Sequence, residues 1–340
     1  GKTIKKGDNT ISILPMAHMY GMSFEFLFEF LHGCHVFYLT RVPSPAIIAQ
    51  AFKDVKPAIV IAVPLVIEKI IRKKVFPQIQ NTKVKLLMKM PGVGKKVKKR
   101  ICEQVYQAFG GNLYEVIIGG AALNQEIESF LKDIDFPFTV GYGATECAPI
   151  ITYSDWHDFV PMSCGREVVH MEVKIDSENP ETVPGEILAR GLNVMLGYYK
   201  NDEATAQTID KDGWYHTGDL GLMDKGGNVF IKGRSKNMLL GPNGQNIYPE
   251  EIEDKLNSMT FAMESVVVQR DGKLVGLVHP DFDEVQAMGL SRDDLQSLME
   301  ENRVQVNANL PVYCKIAAIE IHDEEFEKTP KKSIKRYLYK

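Results

Sequence analysis

With 340 residues, the chain is long enough to bury a large core and to form more than one folding unit. Its hydrophobic content of 44%, charged content of 25% and net charge of −4 are ordinary for a soluble protein and argue against a dedicated nucleic-acid binder. No apolar run approaches the length of a membrane span, and the N-terminal residues lack a signal-peptide core. The five cysteines are scattered without a Cys-x-x-Cys pair, so we predict reduced thiols in the cytoplasm, no zinc site and no disulfide framework.

The first 150 residues alternate short β-rich runs with helical patterns. Strands are predicted at TISIL (10–14), HVFYL (35–39), AIVIA (58–62) and YEVII (114–118). Helices are predicted between and after them, at residues 43–54, 64–74, 97–109 and 124–134. This alternation is typical of a parallel sheet covered on both faces. The segment FEFLFEFL (24–31) fits a strand by its alternation and a buried helix by its length, and we favour the helix.

The pattern changes after Cys147. Shorter β runs continue to about Lys232 and predict antiparallel strands or a small β-barrel-like subdomain, interrupted by a helix from Asp202 to Ile209. A third part, 236–340, predicts a small α+β C-terminal domain. Its signals are a helix beginning at Pro249, a hairpin turning at Asp271-Gly272, a helix capped by Ser291 and a final strand IAAIEIH. The predicted fold class is therefore α/β, with a large part over 1–235 and a small domain over 236–340.

The segment VGYGATE (Val140–Glu146) carries the strongest chemical signal. It ends an apolar run, turns on Gly141 and Gly143, and presents Tyr142, Thr145 and Glu146. An aromatic ring, a hydroxyl and a carboxylate suit a base, a phosphate oxygen and a magnesium ion, respectively. A strand followed by a glycine turn is the alternative interpretation. The segment is not a dinucleotide fingerprint, because Glu146 stands where the third glycine belongs.

Two later motifs strengthen this interpretation. YHTGDLG (215–221) contains Asp219, whose carboxylate can accept hydrogen bonds from both hydroxyls of a diol. The long segment IKGRSKNMLLGPNGQNIYPEEIE (231–253) follows it. Together with VGYGATE, and in this order, the motifs resemble the adenylate-forming superfamily of acyl-CoA synthetases, peptide-synthetase adenylation domains and luciferases. Within that superfamily the chain is most similar to the long-chain fatty acyl-CoA synthetases.

The resemblance implies ATP or AMP, Mg²⁺ and coenzyme A as cofactors, and it implies a role for each matching residue. Tyr142 would flank adenine, Thr145 would contact the α-phosphate, and Glu146 would bind magnesium. The ribose would be bound by Asp219 and Arg234, and the acyl site would be bordered by His18 in LPMAHMYG. The remaining implied positions are the adenine- and acyl-lining segment Gly119, Gly120 and Ala121, the hinge at Lys236, and the pantetheine loop GPNGQN containing Gly244.

The resemblance also implies that 1–235 is the later portion of a large AMP-binding domain and that 236–340 is mobile. Two departures stand out. The Ser/Thr/Gly-rich phosphate loop of the superfamily is absent, so we expect an N-terminally truncated and inactive fragment. In KTPKKSIKRYLYK (328–340), Ser333 stands at the position of the adenylation lysine, which leaves Lys332 as the catalytic candidate and Lys335 as the other.

The predicted activity of the full-length protein is ATP-dependent activation of a long-chain fatty acid to acyl-adenylate and then acyl-CoA. Two alternatives remain: an adenylate-forming enzyme for another carboxylic, aryl or amino acid, and a non-catalytic fragment that binds nucleotide or CoA. The basic run from Lys83 to Arg100 predicts a solvated helix face. Contact with CoA phosphates or with the inner face of an anionic membrane is a further hypothesis. Sequence does not determine the oligomeric state.

Overall fold

The computed structural model describes residues 4–40, 45–79, 86–88, 90–241, 244–329 and 334–339. Contacts between residues divide the chain into two compact units. The large unit comprises Gly1–Val183, Ile187–Thr217 and Leu222–Phe230; the small unit comprises Pro184–Glu186, Gly218–Gly221 and Ile231–Lys340. Each unit encloses its own cluster of buried apolar side chains. Within the described ranges, no helix combines the length and the apolar character needed to cross a membrane.

A five-stranded parallel sheet organises the large unit. The alternating pattern predicted a parallel sheet and four of these strands, but it did not name the fifth, Phe138–Val140. Its strands are β1 (Asn9–Ser12), β2 (His35–Tyr38), β3 (Ile59–Ala62), β4 (Glu115–Ile118) and β5 (Phe138–Val140), in the order β2-β1-β3-β4-β5. The central strand β3 is buried along its whole length, because Ile59–Ala62 is apolar and lies between neighbours on both sides. Since the strands are parallel, all their carboxyl ends meet at one edge of the sheet.

The described helices of this unit cover the predicted positions with shifted ends. They are Met19–Gly21, continuing as a π-helix Met22–Leu27 and an α-helix Phe28–Leu31; Pro45–Val55; Pro64–Ile70, continuing as a π-helix Ile71–Val75 and an α-helix Phe76–Ile79; Val93–Ala108; and Gln125–Asp133. The favoured interpretation of FEFLFEFL as a helix is confirmed.

Two buried acids explain the unusual alternation of FEFLFEFL. Glu25 accepts hydrogen bonds from the Ser12 hydroxyl at 3.0 Å and from the backbone N–H groups of Ile13 and Leu14 at 3.0 and 2.9 Å. Glu29 accepts from the hydroxyl of Thr10 at 2.6 Å. The acids therefore face β1 and the chain that follows it. In an ordinary amphipathic helix the charged side chains face solvent, whereas here these two point into the protein.

Beyond β5 the strands are antiparallel and form two open sheets. One contains β6 (Tyr142–Gly143), β7 (Ile150–Tyr153) and β8 (Arg166–Glu167). The other contains β9 (Met171–Asp176), β10 (Gly185–Gly191), β11 (Tyr215–Met223) and β12 (Val229–Arg234), in the order β12-β11-β10-β9. The predicted barrel is wrong: β9 and β12 lie at opposite edges of their sheet, so among the described strands this sheet does not close.

The helix Asp202–Thr208 follows the predicted position, and the Asn201 side chain accepts the N–H of Ala204 at 3.1 Å. The predicted helix extended one residue further, to Ile209, whose backbone is extended.

The small unit contains a three-stranded sheet and its helices. Its elements are β13 (Leu239–Leu240), β14 (Asn246–Ile247), a helix Pro249–Asn257, β15 (Ala262–Arg270), β16 (Lys273–Pro280), helices Phe282–Ala287 and Arg292–Ala308, and β17 (Ile316–Ile321). The predicted hairpin is confirmed, and its turn residues Asp271 and Gly272 have φ of 48° and 73°. The capping box of Ser291 and Asp294 is also confirmed.

Candidate functional site

Three segments that are distant in sequence meet at the carboxyl edge of the parallel sheet. LPMAHMY (14–20) follows β1, Gly119–Ala121 follows β4, and Gly141–Glu146 follows β5. The Gly141 N–H donates to the Ile118 carbonyl at 2.9 Å, which joins the last two segments. In open α/β sheets the crevice beyond the carboxyl ends of the strands is the usual place for a ligand. The edge therefore defines the candidate site of the large unit.

Gly119 and Gly120 have separate structural reasons to be glycine. The Tyr20 ring lies on Gly119, where a Cβ atom would stand 3.0 Å from the phenol oxygen and its ring carbon. The Tyr20 hydroxyl donates to the Ile117 carbonyl at 3.1 Å, and burial raises the pKa of this phenol, with a further contribution from Glu25. Gly120 has φ of +86°, and both Gly120 and Ala121 are exposed. The backbone of Gly120 and Ala121 is thus accessible at this edge, whereas that of Gly119 is covered by the Tyr20 ring.

The GYGATE loop is a tight return between β5 and β7. A Cβ atom on Gly143 would lie 2.0 Å from the Pro149 carbonyl oxygen, so only glycine fits there. Tyr142 pairs with Thr152 across β6 and β7 and is only 8% exposed. Thr145 begins a 3₁₀ turn and is exposed beside it. The loop therefore holds the tyrosine inward and presents the threonine outward.

Glu146 is held by contacts that sequence reasoning missed. Its carboxylate accepts the Tyr198 hydroxyl at 2.9 Å, and burial together with the negative charge of Glu146 raises the pKa of Tyr215. The Met195 N–H donates to the Glu146 carbonyl at 2.7 Å, and the Asn193 side chain donates to the Cys147 carbonyl at 2.7 Å. The residues that fix Glu146 come from beyond residue 190, and no short-range signal in the sequence links them to the loop.

The donor set fits a magnesium ion that arrives with a phosphate group. Glu146 supplies one hard, half-exposed oxygen ligand, and Mg²⁺ is often bound by one or two carboxylates together with substrate phosphates. Within the described residues, no cluster of three or more histidine, cysteine or acidic side chains could enclose a metal ion.

Cys147 follows Glu146 directly but is unsuited to nucleophilic chemistry. It is completely buried, and burial together with the neighbouring Glu146 raises the pKa of its thiol to about 12. The thiolate is the reactive form of cysteine. Cys147 is thus a packing residue.

His18 precedes the short helix Met19–Gly21 and is half-buried at the same edge of the sheet. Its backbone N–H donates to the Pro15 carbonyl at 3.0 Å, and its carbonyl accepts from Met22 at 2.9 Å. The histidine therefore lies on a well-defined turn that enters the helix.

The small unit brings Asp219 and Arg234 together. The Arg234 Nε atom lies 2.7 Å from an oxygen of Asp219, whose side chain is only 9% exposed, whereas that of Arg234 is 61% exposed. Gly218 has φ of 71°, and its N–H donates to the Glu186 carboxylate at 2.9 Å. A buried acid beside an exposed guanidinium provides acceptors and donors in one place, which suits a sugar diol.

The predicted hinge and pantetheine loop are surface features of the small unit. Lys236 is exposed in the 3₁₀ turn Ser235–Asn237. The hairpin of β13 and β14 carries Gly244, which has φ of +79°. Apart from its chain neighbours, no atom of the described residues lies within 4 Å of where a Cβ would lie. Glycine adopts this backbone far more easily than other residues.

The catalytic candidate Lys332 and its neighbour Ser333 lie outside the described residues. The other candidate, Lys335, forms an ion pair with Glu327 at 3.0 Å, and this contact raises the pKa of the lysine. The next residue, Arg336, contacts Glu253 on the helix Pro249–Asn257 and lies 3.9 Å from Glu250. Arg336 therefore anchors the chain that follows the candidate lysine.

Comparison with known proteins agrees with this architecture. The family model for AMP-binding enzymes matches residues 2–199. The chain belongs to the AMP-binding enzyme family. It is 28% identical over 304 residues to long-chain-fatty-acid–CoA ligase 1 of Saccharomyces cerevisiae, covering 82% of this chain and 43% of that protein. It is also 37% identical over 193 residues to the putative acyl-CoA synthetase YngI of Bacillus subtilis, covering 54% of this chain and 32% of that protein.

Solved structures share the fold. The o-succinylbenzoate coenzyme A synthetase MenE of Bacillus subtilis, in complex with AMP, has a TM-score of 0.73 at 20% identity, covering 99% of this chain and 61% of that one. A benzoate CoA ligase from Burkholderia xenovorans has a TM-score of 0.74 at 19% identity, covering 98% of this chain and 61% of that one. The chain thus spans less than half the length of the yeast ligase and about three fifths of these structures.

Proposed function

We propose that this chain is part of an AMP-forming acid–CoA ligase that activates a long-chain fatty acid. The reaction joins the acid to AMP with release of pyrophosphate, and the acyl group then passes to the thiol of coenzyme A. The observation that carries this proposal is the placement of Glu146. Its carboxylate is oriented by Tyr198 at the carboxyl edge of the parallel sheet, where one oxygen ligand could hold a phosphate-bound magnesium ion.

Each residue of the large unit has a defined task in this scheme. Glu146 binds Mg²⁺, which would offset negative charge at the α-phosphate when the carboxylate attacks. The exposed Thr145 donates its hydroxyl to the same phosphate. Gly119, Gly120 and Ala121 line the adenine and the acyl carbonyl, Gly141 and Gly143 shape the loop, and Tyr142 flanks the base. His18 borders the acyl group.

The small unit has the second set of tasks. Asp219 accepts hydrogen bonds from the ribose hydroxyls, and Arg234 donates to the ribose while it holds Asp219 in place. Residues 236–340 form the mobile C-terminal domain, with Lys236 at its hinge and Gly244 in the loop that contacts the pantetheine arm. Lys332 approaches the acyl phosphate during adenylation.

The long-chain preference rests on the fatty acid ligases to which the chain is similar, at 25–28% identity for the yeast and ACSBG2 proteins. ATP–pyrophosphate exchange by the complete gene product tests it. We expect exchange with long-chain acids and little with short-chain acids. Exchange supported only by aryl or amino acids would overturn the substrate class. If none of the acids tested supported exchange, the proposed activity would be overturned.

A further inference from the structure

One surface of the large unit combines exposed apolar and basic side chains. The apolar residues stand just before the helix Val93–Ala108 and at its first position, and the basic residues occupy its first two turns. Leu86 is 64% exposed and Met90 is 44% exposed, and Leu87 and Val93 close to them in the chain are exposed as well, so the exposed apolar side chains here are grouped and not single. We call this the basic–apolar surface, and it consists of Leu86, Leu87, Met90, Val93, Lys95, Lys96, Lys99 and Arg100.

Backbone contacts hold the residues before the helix against its first turn. The Met90 N–H donates to the Leu87 carbonyl at 3.2 Å, and the Gly94 N–H donates to the Met90 carbonyl at 2.8 Å. A Cβ atom on Gly94 would lie 2.3 Å from the Met88 carbonyl oxygen, so the preceding turn packs directly on the helix start. Met88 and Val97 pack against the core. These two side chains supply the contact with the core, and the exposed apolar side chains are not needed for it.

The positive charge of this region is opposite in sign to the net charge of the chain, and it is unfavourable at the N-terminus of the helix. Residues 83–100 contain seven lysines, one arginine and no acidic residue, although the whole chain has a net charge of −4. The first turn of the helix carries no acid, and its N-cap residue Gly92 supplies no capping side chain. Basic residues near a helix N-terminus are unfavourable because that end carries partial positive charge. A helix start that lacks acidic and capping residues and carries lysines is locally unfavourable, and such departures are expected at functional sites.

We propose that the basic–apolar surface binds the anionic surface of a lipid bilayer. The lysines would lie near anionic headgroups, and Leu86 and Met90 would enter the boundary with the acyl chains. A soluble phosphate compound would use the lysines and leave the apolar side chains in water, so the lipid surface explains both halves. This inference goes beyond acyl activation, and vesicle binding is measured without ATP, acid or CoA, so each can fail independently of the other.

The first experiment measures sedimentation with vesicles of phosphatidylcholine alone or mixed with phosphatidylserine. We expect binding only to the anionic vesicles and weaker binding at high salt. The variant Lys95→Glu/Lys96→Glu/Lys99→Glu should bind about tenfold or more weakly. The matched control Lys211→Glu/Lys225→Glu/Lys273→Glu reverses three exposed lysines elsewhere and should bind as the unchanged chain does. Equal binding by both triple variants, or no preference for anionic vesicles, would overturn the proposal.

The second experiment tests insertion of the apolar half. Leu86→Trp should show a blue-shifted emission on anionic vesicles and quenching by brominated acyl chains. Val304→Trp, at a position 57% exposed on a helix of the small unit, is the control and should show neither change. An unshifted Leu86→Trp signal would remove the apolar contact from the proposal. If the lysine variant lost affinity for coenzyme A but kept its vesicle binding, the surface would be a phosphate site and the lipid assignment would be wrong.

Discussion

Glu146 is the residue on which the proposed chemistry depends most. Glu146→Gln keeps an oxygen that can accept from Tyr198 but removes the charge that would bind magnesium. We expect a loss of about a hundredfold in the rate of ATP–pyrophosphate exchange by the complete gene product. The dependence of the rate on magnesium concentration should also shift to higher values. Tyr198→Phe is the matched variant: it keeps the charge, so its effect should be clearly smaller. If the two variants were equally impaired, Glu146 would act through structure alone.

Asp219 provides the second test at this scale. Its carboxylate is buried beside Arg234. If it accepts from the ribose hydroxyls as proposed, it should discriminate between a ribose and a deoxyribose. The unchanged protein should prefer ATP to its 2′- and 3′-deoxy analogues, and Asp219→Asn should reduce this preference by about tenfold or more. The preference is obtained from the ratio of kcat/KM values. A variant that lost activity equally with all three nucleotides would argue against a sugar contact.

These residues could be proposed from the sequence because each motif is short and each side chain suits one group of the proposed nucleotide. The sequence did not locate Tyr198, which contacts the Glu146 carboxylate, or Asn193, which donates to the carbonyl of the next residue. Tyr198 lies 52 residues further along the chain, and only the folded loop brings its hydroxyl to the carboxylate. Supporting contacts of this kind have no fixed spacing, so periodicity and local composition do not reveal them.

At the scale of elements, Arg336 ties the C-terminal segment to the helix Pro249–Asn257. Its guanidinium contacts Glu253, which is buried, and lies near Glu250. Arg336→Met would leave Glu253 buried without this partner and should lower the free energy of unfolding by about 3 kcal/mol. Lys335→Met is the matched control, since it removes an adjacent but exposed ion pair and should leave stability nearly unchanged. Urea denaturation distinguishes the two, and similar losses for both variants would contradict the assigned role.

The elements themselves were largely predictable, because their signals are local. Apolar runs alternating with helical patterns predicted four of the five parallel strands, Ser291 marked a helix start, and Asp271-Gly272 marked the hairpin. The π-helical turns were not predictable, since the inward placement of Glu25 depends on acceptors needed by β1 and its continuation. Whether the antiparallel sheet of β9 to β12 closes into a barrel was not predictable either, because short β runs do not indicate which strands lie at the edges of a sheet.

At the scale of the whole molecule, buried acids should make stability depend on pH. Burial raises the pKa of Glu25 and Glu115 to about 7 and that of Glu29 to about 8, from an ordinary value of 4.5. Between these values the folded chain holds protons that the unfolded chain has released. The free energy of unfolding should therefore fall as the pH rises from about 5 to about 8, and level off above that.

Glu25→Gln/Glu29→Gln tests the origin of this dependence. The variant should show a flatter profile of unfolding free energy against pH, because two of the titrating groups are gone. The exposed pair Glu178→Gln/Glu181→Gln serves as the control and should retain the slope. A rise in stability from pH 5 to pH 8 in the unchanged chain would contradict the assignment.

The contact between Tyr20 and Gly119 makes the tyrosine ring a natural NMR probe of ligand binding at this edge of the sheet. The ring covers the backbone that the proposed ligand approaches, and its raised pKa keeps the phenol neutral throughout the ordinary working range. In a selectively labelled sample, the aromatic resonances of Tyr20 should therefore shift when an adenine binds beside it. The phenol does not ionise in this pH range, so its own titration would not cause such a shift. The protein could be surveyed for nucleotide occupancy by NMR before a single turnover is measured.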